Sequence, residues 1–351
     1  MTSPLVSVVL PVRNGAADLP KAMDTILAQT FTDFELIVVN DGSTDGTAAV
    51  LDAIRDPRVR LVHQKSKGLG QALNRGISLA RGRYIARQDH DDWAKPTRLE
   101  KQVTFMEANP DCALLGSCAE IWVGDEPTQR AHDFPAEDAA LRFELLFHNP
   151  FVHSSVMIRR SALDAVGGYS TDPARQPPED YELWSRLARR YKVANLPERL
   201  TIYREVPNSQ SRTGPNPFQQ KLVVISAENL AAAAGAAEPD RNHWDIAALV
   251  HCAYERASAH PDIESMCRLV QEAGARISAN APGSDVPMRA ARWIRIVRWQ
   301  NNIRRKQSFF GPLWPYVRFI RRYCDVRPIL YLVWRHSGLR RLRQALRSAK
   351  S

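Results

Sequence analysis

The sequence predicts an α/β fold, a mainly parallel sheet flanked by helices and followed by a helical extension. Three observations carry this reading. Over residues 5–125 short β-branched runs alternate with helical patterns, the signature of successive βαβ units. Runs such as Leu36-Ile37-Val38-Val39 lack polar alternation, as strands covered on both faces do. Beyond residue 217 the recognisable pattern is helical.

Taken in order, strands are expected at 6–12, 35–40, 59–63 and 84–87. Helices follow them through Met23 and Ile26, and over 48–54, 68–80 and 96–109, the last with Leu99, Val103 and Met106 inward. Further sheet is expected at 114–123, a helix at 136–147 and a short strand at 156–158. A helix at 178–191 carries Leu183, Trp184 and Leu187 inward, and a strand pair near Val193 and at 200–203 closes the domain. Residues 207–217, rich in Pro, Asn, Ser and Gly, read as a linker. Helices at 218–237, 244–259 and 261–275 then precede a basic tail. The domain expectation is 1–212, 213–281 and 282–351.

The composition, 44% hydrophobic and 25% charged over 351 residues, suits a globular chain and excludes disordered or fibrous classes. The longest wholly apolar run late in the chain, 329–334, is far below the roughly 20 residues a spanning helix needs. The first twelve residues lack a signal-peptide pattern. Five cysteines without a CxxC pair argue against a disulfide framework or zinc site, so a cytoplasmic location is expected. The net charge of +10 is concentrated: residues 282–351 hold 17 Lys and Arg against Asp285 and Asp325, leaving 31 basic and 36 acidic residues before them. A slightly acidic body with a basic, aromatic-rich tail suggests attachment to an anionic surface rather than uniform nucleic-acid binding. Arg289, Arg292, Arg295 and Arg298 lie near Trp293, Ile296 and Val297. That pattern fits an interfacial helix on anionic lipid, or alternatively a cap whose aromatics pack inward while the arginines face water.

In open sheets ligands bind beyond the carboxyl ends of the strands, so the loops there are the candidate site. Pro11-Val12-Arg13-Asn14-Gly15 follows the first strand, Asn40-Asp41-Gly42-Ser43-Thr44-Asp45-Gly46 the second and Gln88-Asp89-His90-Asp91-Asp92 the fourth. Three carboxylates within four residues repel unless a cation compensates them, and hard divalent metals prefer oxygen ligands. The bland alternative is an acidic helix start with Asp92 as N-cap. Asp41 either shapes an Asx-turn or accepts from a nucleobase or ribose. Glu179-Asp180 is favourable first-turn charge or supplies a general base. His153, in Asn149-Pro150-Phe151-Val152-His153-Ser154-Ser155, reads first as structural, and Lys65, Lys67 and Arg75 meet phosphate or water.

The ordered set Val8-Val9-Leu10-Pro11-Val12-Arg13-Asn14, Leu36-Ile37-Val38-Val39-Asn40-Asp41-Gly42-Ser43-Thr44-Asp45, Asn74-x-Gly76, Tyr84-Ile85-Ala86-Arg87-Gln88-Asp89-His90-Asp91-Asp92 and Glu179-Asp180-Tyr181-Glu182-Leu183-Trp184 resembles the family 2 glycosyltransferases of GT-A fold. The resemblance covers about residues 5–212. It implies inverting transfer of a sugar from a nucleoside-diphosphate sugar donor to a glycan or lipid-linked acceptor, in bacterial surface-polysaccharide or glycolipid assembly, assisted by Mg²⁺ or Mn²⁺. By position, Pro11, Val12, Arg13, Asn14 and Asp41 hold the nucleoside, Asp91 is the first metal ligand, Asp89 binds ribose or metal, Asp92 supports them and Asp180 is the catalytic base. Three departures stand out: His90 where many relatives have a small residue, Leu73 where many have Arg, and Val206 where many have a histidine. His153, Gln210 and Arg212 are candidates to replace that histidine. A sugar-phosphate nucleotidylyltransferase lacks support because no early Gly- and Arg-rich triphosphate loop is present. A nucleic-acid or scaffold protein using the tail leaves Asp41, the aspartate cluster and Asp180 unexplained, so no nucleic acid is expected; a non-catalytic nucleotide-binding relative is the remaining alternative.

Overall fold

The computed structural model describes residues 3–206 and 218–310, with side chains to 305. The chain opens with β1 (Val6–Val12), α1 (Leu19–Leu27), β2 (Phe34–Asp41), α2 (Thr47–Asp52), β3 (Val59–Gln64), α3 (Leu69–Leu79) and β4 (Tyr84–Arg87). β5 (Trp93–Ala94), α4 (Arg98–Ala108), β6 (Cys112–Val123), β7 (Glu126–His132), α5 (Asp138–Glu144), β8 (Met157–Arg159), α6 (Arg160–Val166), α7 (Glu179–Ala188) and β9 (Lys192–Glu205) complete the sheet region. α8 (Gln219–Ala234), α9 (Arg241–Val250), α10 (Ile263–Ser278) and α11 (Val286–Phe310) follow.

One mixed sheet runs β3-β2-β1-β4-β8-β6-β9-β5, with β7 paired to β6. β1 is parallel to both β2 and β4, β2 to β3, and β6 to β9; the remaining pairs are antiparallel. The chain leaves β1 for β2 on one side and returns as β4 on the other, so the crevice at their carboxyl ends is the topological switch point at which such sheets bind ligands. Side chains alternate faces along a strand, and β1 is buried on both. Val8 and Leu10 join a core with Leu19, Met23, Leu99 and Met106, while Val9 joins Ile85, Leu114, Tyr181 and Trp184 on the other face. Each such buried aliphatic contributes about 1.5–3 kcal/mol, enough to hold the strand ends, and the loops they carry, in fixed register.

Several elements depart from the sequence expectation. The strand pair at Val193 and 200–203 is one 14-residue strand, β9, because its register shifts against β6 absorb the intervening Pro197 and Glu198. β7 is polar and partly exposed, so it shows no apolar run; it pairs with β6 across Gly124-Asp125, with Gly124 at φ +58°. β5 and α6 are too short to show a period. The 244–259 helix begins earlier and ends sooner, as α9, because Asp240 accepts from the Asn242 and His243 amides while the His243 ring returns to the Asp240 amide. That capping box uses histidine where Glu or Gln is the usual signal.

The compact unit containing the sheet runs to Val297 and includes α8–α10. Within it, Val286, Ala290, Trp293, Ile294 and Val297 of α11 form a buried stripe, while Arg292 and Arg295 face solvent. Trp293 stacks on Phe147 at 4.2 Å and donates its indole N–H to Glu144 Oε2 at 3.1 Å. No described helix is long and apolar enough to cross a membrane. The tail expectations from 311 onward lie outside the described residues.

Candidate active site

The first two loops are knitted together. Asn14 takes a left-handed φ of 54°, a conformation asparagine tolerates better than most residues. This turns its side chain back so that Oδ1 accepts from the Thr44 amide at 2.8 Å, while its own amide donates to Ser43 Oγ at 2.9 Å. The Gly15 amide donates to Thr47 Oγ1 and the Ala16 amide to Asp45 Oδ2. Pro11 and Val12 are buried at the strand end, whereas Arg13 is exposed. Asp41 closes the second strand and is 4% exposed; its carboxylate accepts from Gln64 Nε2, Ser66 Oγ and the Lys67 and Gly68 amides at 2.7–3.3 Å. Gly42 is required beside it: at φ +69°, a Cβ there would sit 2.6 Å from the Ser66 amide nitrogen.

The third loop carries the charge. Asp89, Asp91 and Asp92 bring one oxygen each within 4.8 Å of one another. Burial alone would raise the Asp89 carboxyl, but the guanidinium of the fully buried Arg87, paired with both its oxygens, reverses this and holds it down to about 2. Asp92 is buried, with Oδ1 accepting from the Arg204 amide at 2.8 Å and Oδ2 from Ser154 Oγ. Burial, then Asp91 and Asp89, push its carboxyl well above the usual range. Asp91 is raised by burial and then by the Asp89 charge, and no other side chain among the described residues binds its carboxylate. Beneath them Arg98 donates to Gln88 Oε1 and to the Arg87 carbonyl, both at 2.8 Å. Burial, with Arg87 beside it, pulls its pKa down to about 9. Asp92 is therefore no helix cap; Thr97 occupies that place for α4.

The segment 149–155 joins this loop to the start of α7. Asn149 Nδ2 donates to Asp180 Oδ2 at 2.8 Å, while at the other end Ser154 Oγ binds Asp89 and Asp92. Between them His153 Nε2 and Tyr169 Oη share a 2.8 Å hydrogen bond, with Trp184 edge-on to both rings. Burial, reinforced by Arg87, drives the His153 pKa well down, so the ring is neutral. Asn74 grips the Tyr169 backbone through two hydrogen bonds, and a Cβ on Gly76 would approach Val9 Cγ1 to 2.5 Å, which accounts for the Asn-x-Gly spacing. Burial raises the Asp180 carboxyl and, with Asp180 next, holds Glu179 up to about 7. The charges of Arg87 and Asp89 act on both, so the start of α7 and the acidic loop are linked electrostatically as well as through segment 149–155.

The family model described as Glycosyl transferase family 2 matches residues 7–167, spanning all three loops. An uncharacterised glycosyltransferase of Haemophilus influenzae is 32% identical over 238 residues, 65% of this chain and 73% of that protein. The chain belongs to glycosyl transferase family 2. EpsE of Bacillus subtilis, a putative glycosyltransferase, is 33% identical over 58% of this chain and 74% of its own. AmsE of Erwinia amylovora, an amylovoran biosynthesis glycosyltransferase, is 31% identical over 52% and 68%. Residues 1–349 of Staphylococcus aureus TarS, solved with UDP-GlcNAc, superimpose with a TM-score of 0.58 at 13% identity over 86% of this chain and 91% of that one. The protein is thus a glycosyltransferase with the GT-A fold.

The acidic loop of this glycosyltransferase fits a DXD-type metal site. Its donors are oxygens, as Mg²⁺ and Mn²⁺ prefer, and the Asp91 and Asp92 carboxyls, raised first by burial and then by neighbouring aspartates, are charges that a cation would compensate. Sequence reasoning missed Arg87, Arg98, Asn149, Ser154 and Arg204. Within 149–155 the residue type singles out His153, yet that ring is held by Tyr169. Val206 carries no ligand atom on its side chain, and Gln210 and Arg212 lie outside the described residues.

Proposed function

We propose that this glycosyltransferase moves a sugar from a nucleoside-diphosphate donor to an acceptor hydroxyl with inversion of configuration. The observation that carries this reading is the 149–155 bridge, which holds Asp180 at one end and the aspartate cluster at the other. Pro11, Val12, Arg13, Asn14 and Asp41 would receive the nucleoside, with the Gln64 and Ser66 donors now on Asp41 shared with it. Asp91 would hold the metal, because Asp92 is committed to Arg204 and Ser154 and Asp89, beside it, is paired with Arg87 through both oxygens. A bound Mg²⁺ or Mn²⁺ supplies neutralisation of negative charge on a diphosphate.

Asp180 accepts the proton of the attacking hydroxyl. Its Oδ2 is oriented by Asn149, and its raised pKa makes it a stronger base than an ordinary aspartate. Attack from the face opposite the departing diphosphate is one displacement and inverts the centre. The AmsE name supports a place in surface-polysaccharide or glycolipid assembly. The outward Arg292 and Arg295 of α11 support contact with an anionic cytoplasmic membrane face that presents a lipid-linked acceptor. Turnover across a panel of nucleotide sugars tests the reaction: transfer lost in Asp180→Asn but not in wild type supports it, and equal turnover refutes it. Liposome flotation tests the membrane contact. The control carries Arg292→Glu and Arg295→Glu, since a cut near Pro282 would remove Trp293 from its packing on Phe147; wild type should float with anionic vesicles and the variant less, and failure of the wild type to float refutes the contact.

A further inference from the structure

Period-two alternation places Trp93, Ile202, Arg204, Glu120 and Trp122 on one face of the β5–β9–β6 strands, since Trp93 is opposite Ile202, Glu120 opposite Ile202 and Trp122 opposite Arg204. The start of α1 faces them. Between lies an open cavity of about 480 Å³ lined by Ala17, Asp18, Lys21, Trp93, Trp122, Asp125 and Arg204, within the range of small-molecule sites. It stands directly beside the candidate active site: Asp91 and Trp93 are two residues apart, so their Cα atoms lie within about 7 Å. Arg204 Nη1 also donates to the Asp91 carbonyl at 3.1 Å.

The walls are rigid and amphipathic. Trp93 and Trp122 meet edge to face at 5.5 Å, and Trp122 is fixed further by donating its indole N–H to Glu120 Oε2 at 3.0 Å. Arg204 lies 4.6 Å above the Trp93 ring and is clamped by Asp18 at 2.7 Å, Asp125 at 2.6 Å and the Gly124 carbonyl at 3.0 Å. Its charge is therefore already matched, which leaves little attraction for a phosphate. The carboxylates of Asp18 and Asp125 retain lone pairs beyond those Arg204 uses, and Lys21 Nζ, 5.7 Å from the Trp93 ring centroid, is a donor at the rim. Trp93 is only 8% exposed with Arg204 over its ring, so the half-buried Trp122 supplies the aromatic wall; with carboxylate acceptors and an amine donor beside it, the cavity matches a pyranose, which has an apolar C–H face and a hydroxyl edge.

We infer that the Trp93–Trp122 cavity is a saccharide subsite holding the sugar portion of the acceptor next to the acidic loop. The inference rests on the transfer reaction proposed above, and its test separates the two. Saturation-transfer NMR on the full-length protein would use methyl glycosides of glucose, galactose, mannose, N-acetylglucosamine and glucuronic acid, with calorimetry of UDP, GDP and dTDP in parallel. The expected result is saturation of at least one glycoside. Trp122→Ala and, independently, the surface substitution Asp125→Asn should weaken it, Trp122→Ala by about ten-fold, with nucleotide binding unchanged. Glycoside binding without nucleotide binding would sink the donor site and leave the subsite standing. Nucleotide binding with no glycoside signal overturns the subsite. So does a glycoside signal unmoved by either substitution, or a loss of nucleotide affinity in Trp122→Ala, which would assign the cavity to the donor.

Discussion

Glu144 on α5 and Glu179 at the start of α7 are the same residue type, each less than a tenth exposed, yet they are held in opposite ionisation regimes. Burial would raise both. At Glu144 the His148 ring at 2.9 Å, the Arg289 guanidinium at 2.7 Å and the Trp293 indole N–H answer every direction of charge, and the carboxyl is held down to about 2. At Glu179 the nearest ionisable neighbour is another carboxylate, Asp180, and burial with that neighbour lifts it to about 7. The first site fastens the C-terminal helix to the catalytic domain and is electrostatically finished. The second, like Asp91 and Asp92 on the acidic loop, is left unfinished, which is what a site awaiting a cation and a proton transfer requires.

The contrast breaks most visibly at Asp180. Asp180→Asn keeps the shape and the Asn149 contact region but removes the base, and turnover should fall by about 10²–10⁴-fold with nucleotide affinity retained; steady-state kinetics and calorimetry on one preparation check this. At the finished site, Glu144→Ala should cost about 3 kcal/mol, since three donors lose their acceptor, read from urea unfolding. Turnover per folded molecule should not change.

A smaller effect is expected where the first loop meets the third. A Cβ on Gly15 would lie 2.3 Å from His90 Cδ2 and 2.7 Å from Val12 Cγ2, so Gly15→Ala should cost about 2 kcal/mol. His90→Ala in the same chain should recover part of it, and a double-mutant unfolding cycle measures the coupling. His90 and Gly15 thus fit one another, the physical counterpart of a bulky residue between the two aspartates.

The smallest effect concerns pH and has opposite signs at the two glutamates. Glu144, depressed to about 2, contributes stability in full above the ordinary glutamate value of about 4.3 and loses it as pH falls through that value toward 2. Glu179, raised to about 7, keeps its proton in the folded state between about 4.3 and 7, so its contribution declines as pH rises across that window and is level above it. Glu179→Gln should remove that decline and raise stability at pH 8. Unfolding midpoints for wild type and variant across pH 4–8 check the sign.

What the sequence revealed follows the range of the interactions. β1, β2 and β4 are local apolar runs, so the three loops at their ends are legible from residue order alone. Asp89, Asp91 and Asp180 stand out as acidic residues in those loops and at a helix start, and it is the family resemblance, not residue type alone, that suggests their roles. Arg87 read only as the end of a strand, and Arg98 as an ordinary helix residue. Their burial beneath the acidic loop depends on β8 and segment 149–155 packing against β4, more than 50 residues further along the chain. Asn149 and Ser154 are hidden for the same reason: their value lies in two carboxylates distant in sequence. The inward stripe of α11 is weakly written because arginines at 289, 292, 295 and 298 recur at three-residue spacing among its apolar residues.

Calorimetry of UDP, GDP and dTDP, with and without Mn²⁺, on wild type and Asp91→Ala tests the central claim most directly. The account predicts metal-dependent binding of at least one nucleotide to wild type and its loss in the variant, with both proteins folded. Nucleotide binding that is indifferent to metal and to Asp91, or absent from the folded wild type, would contradict it.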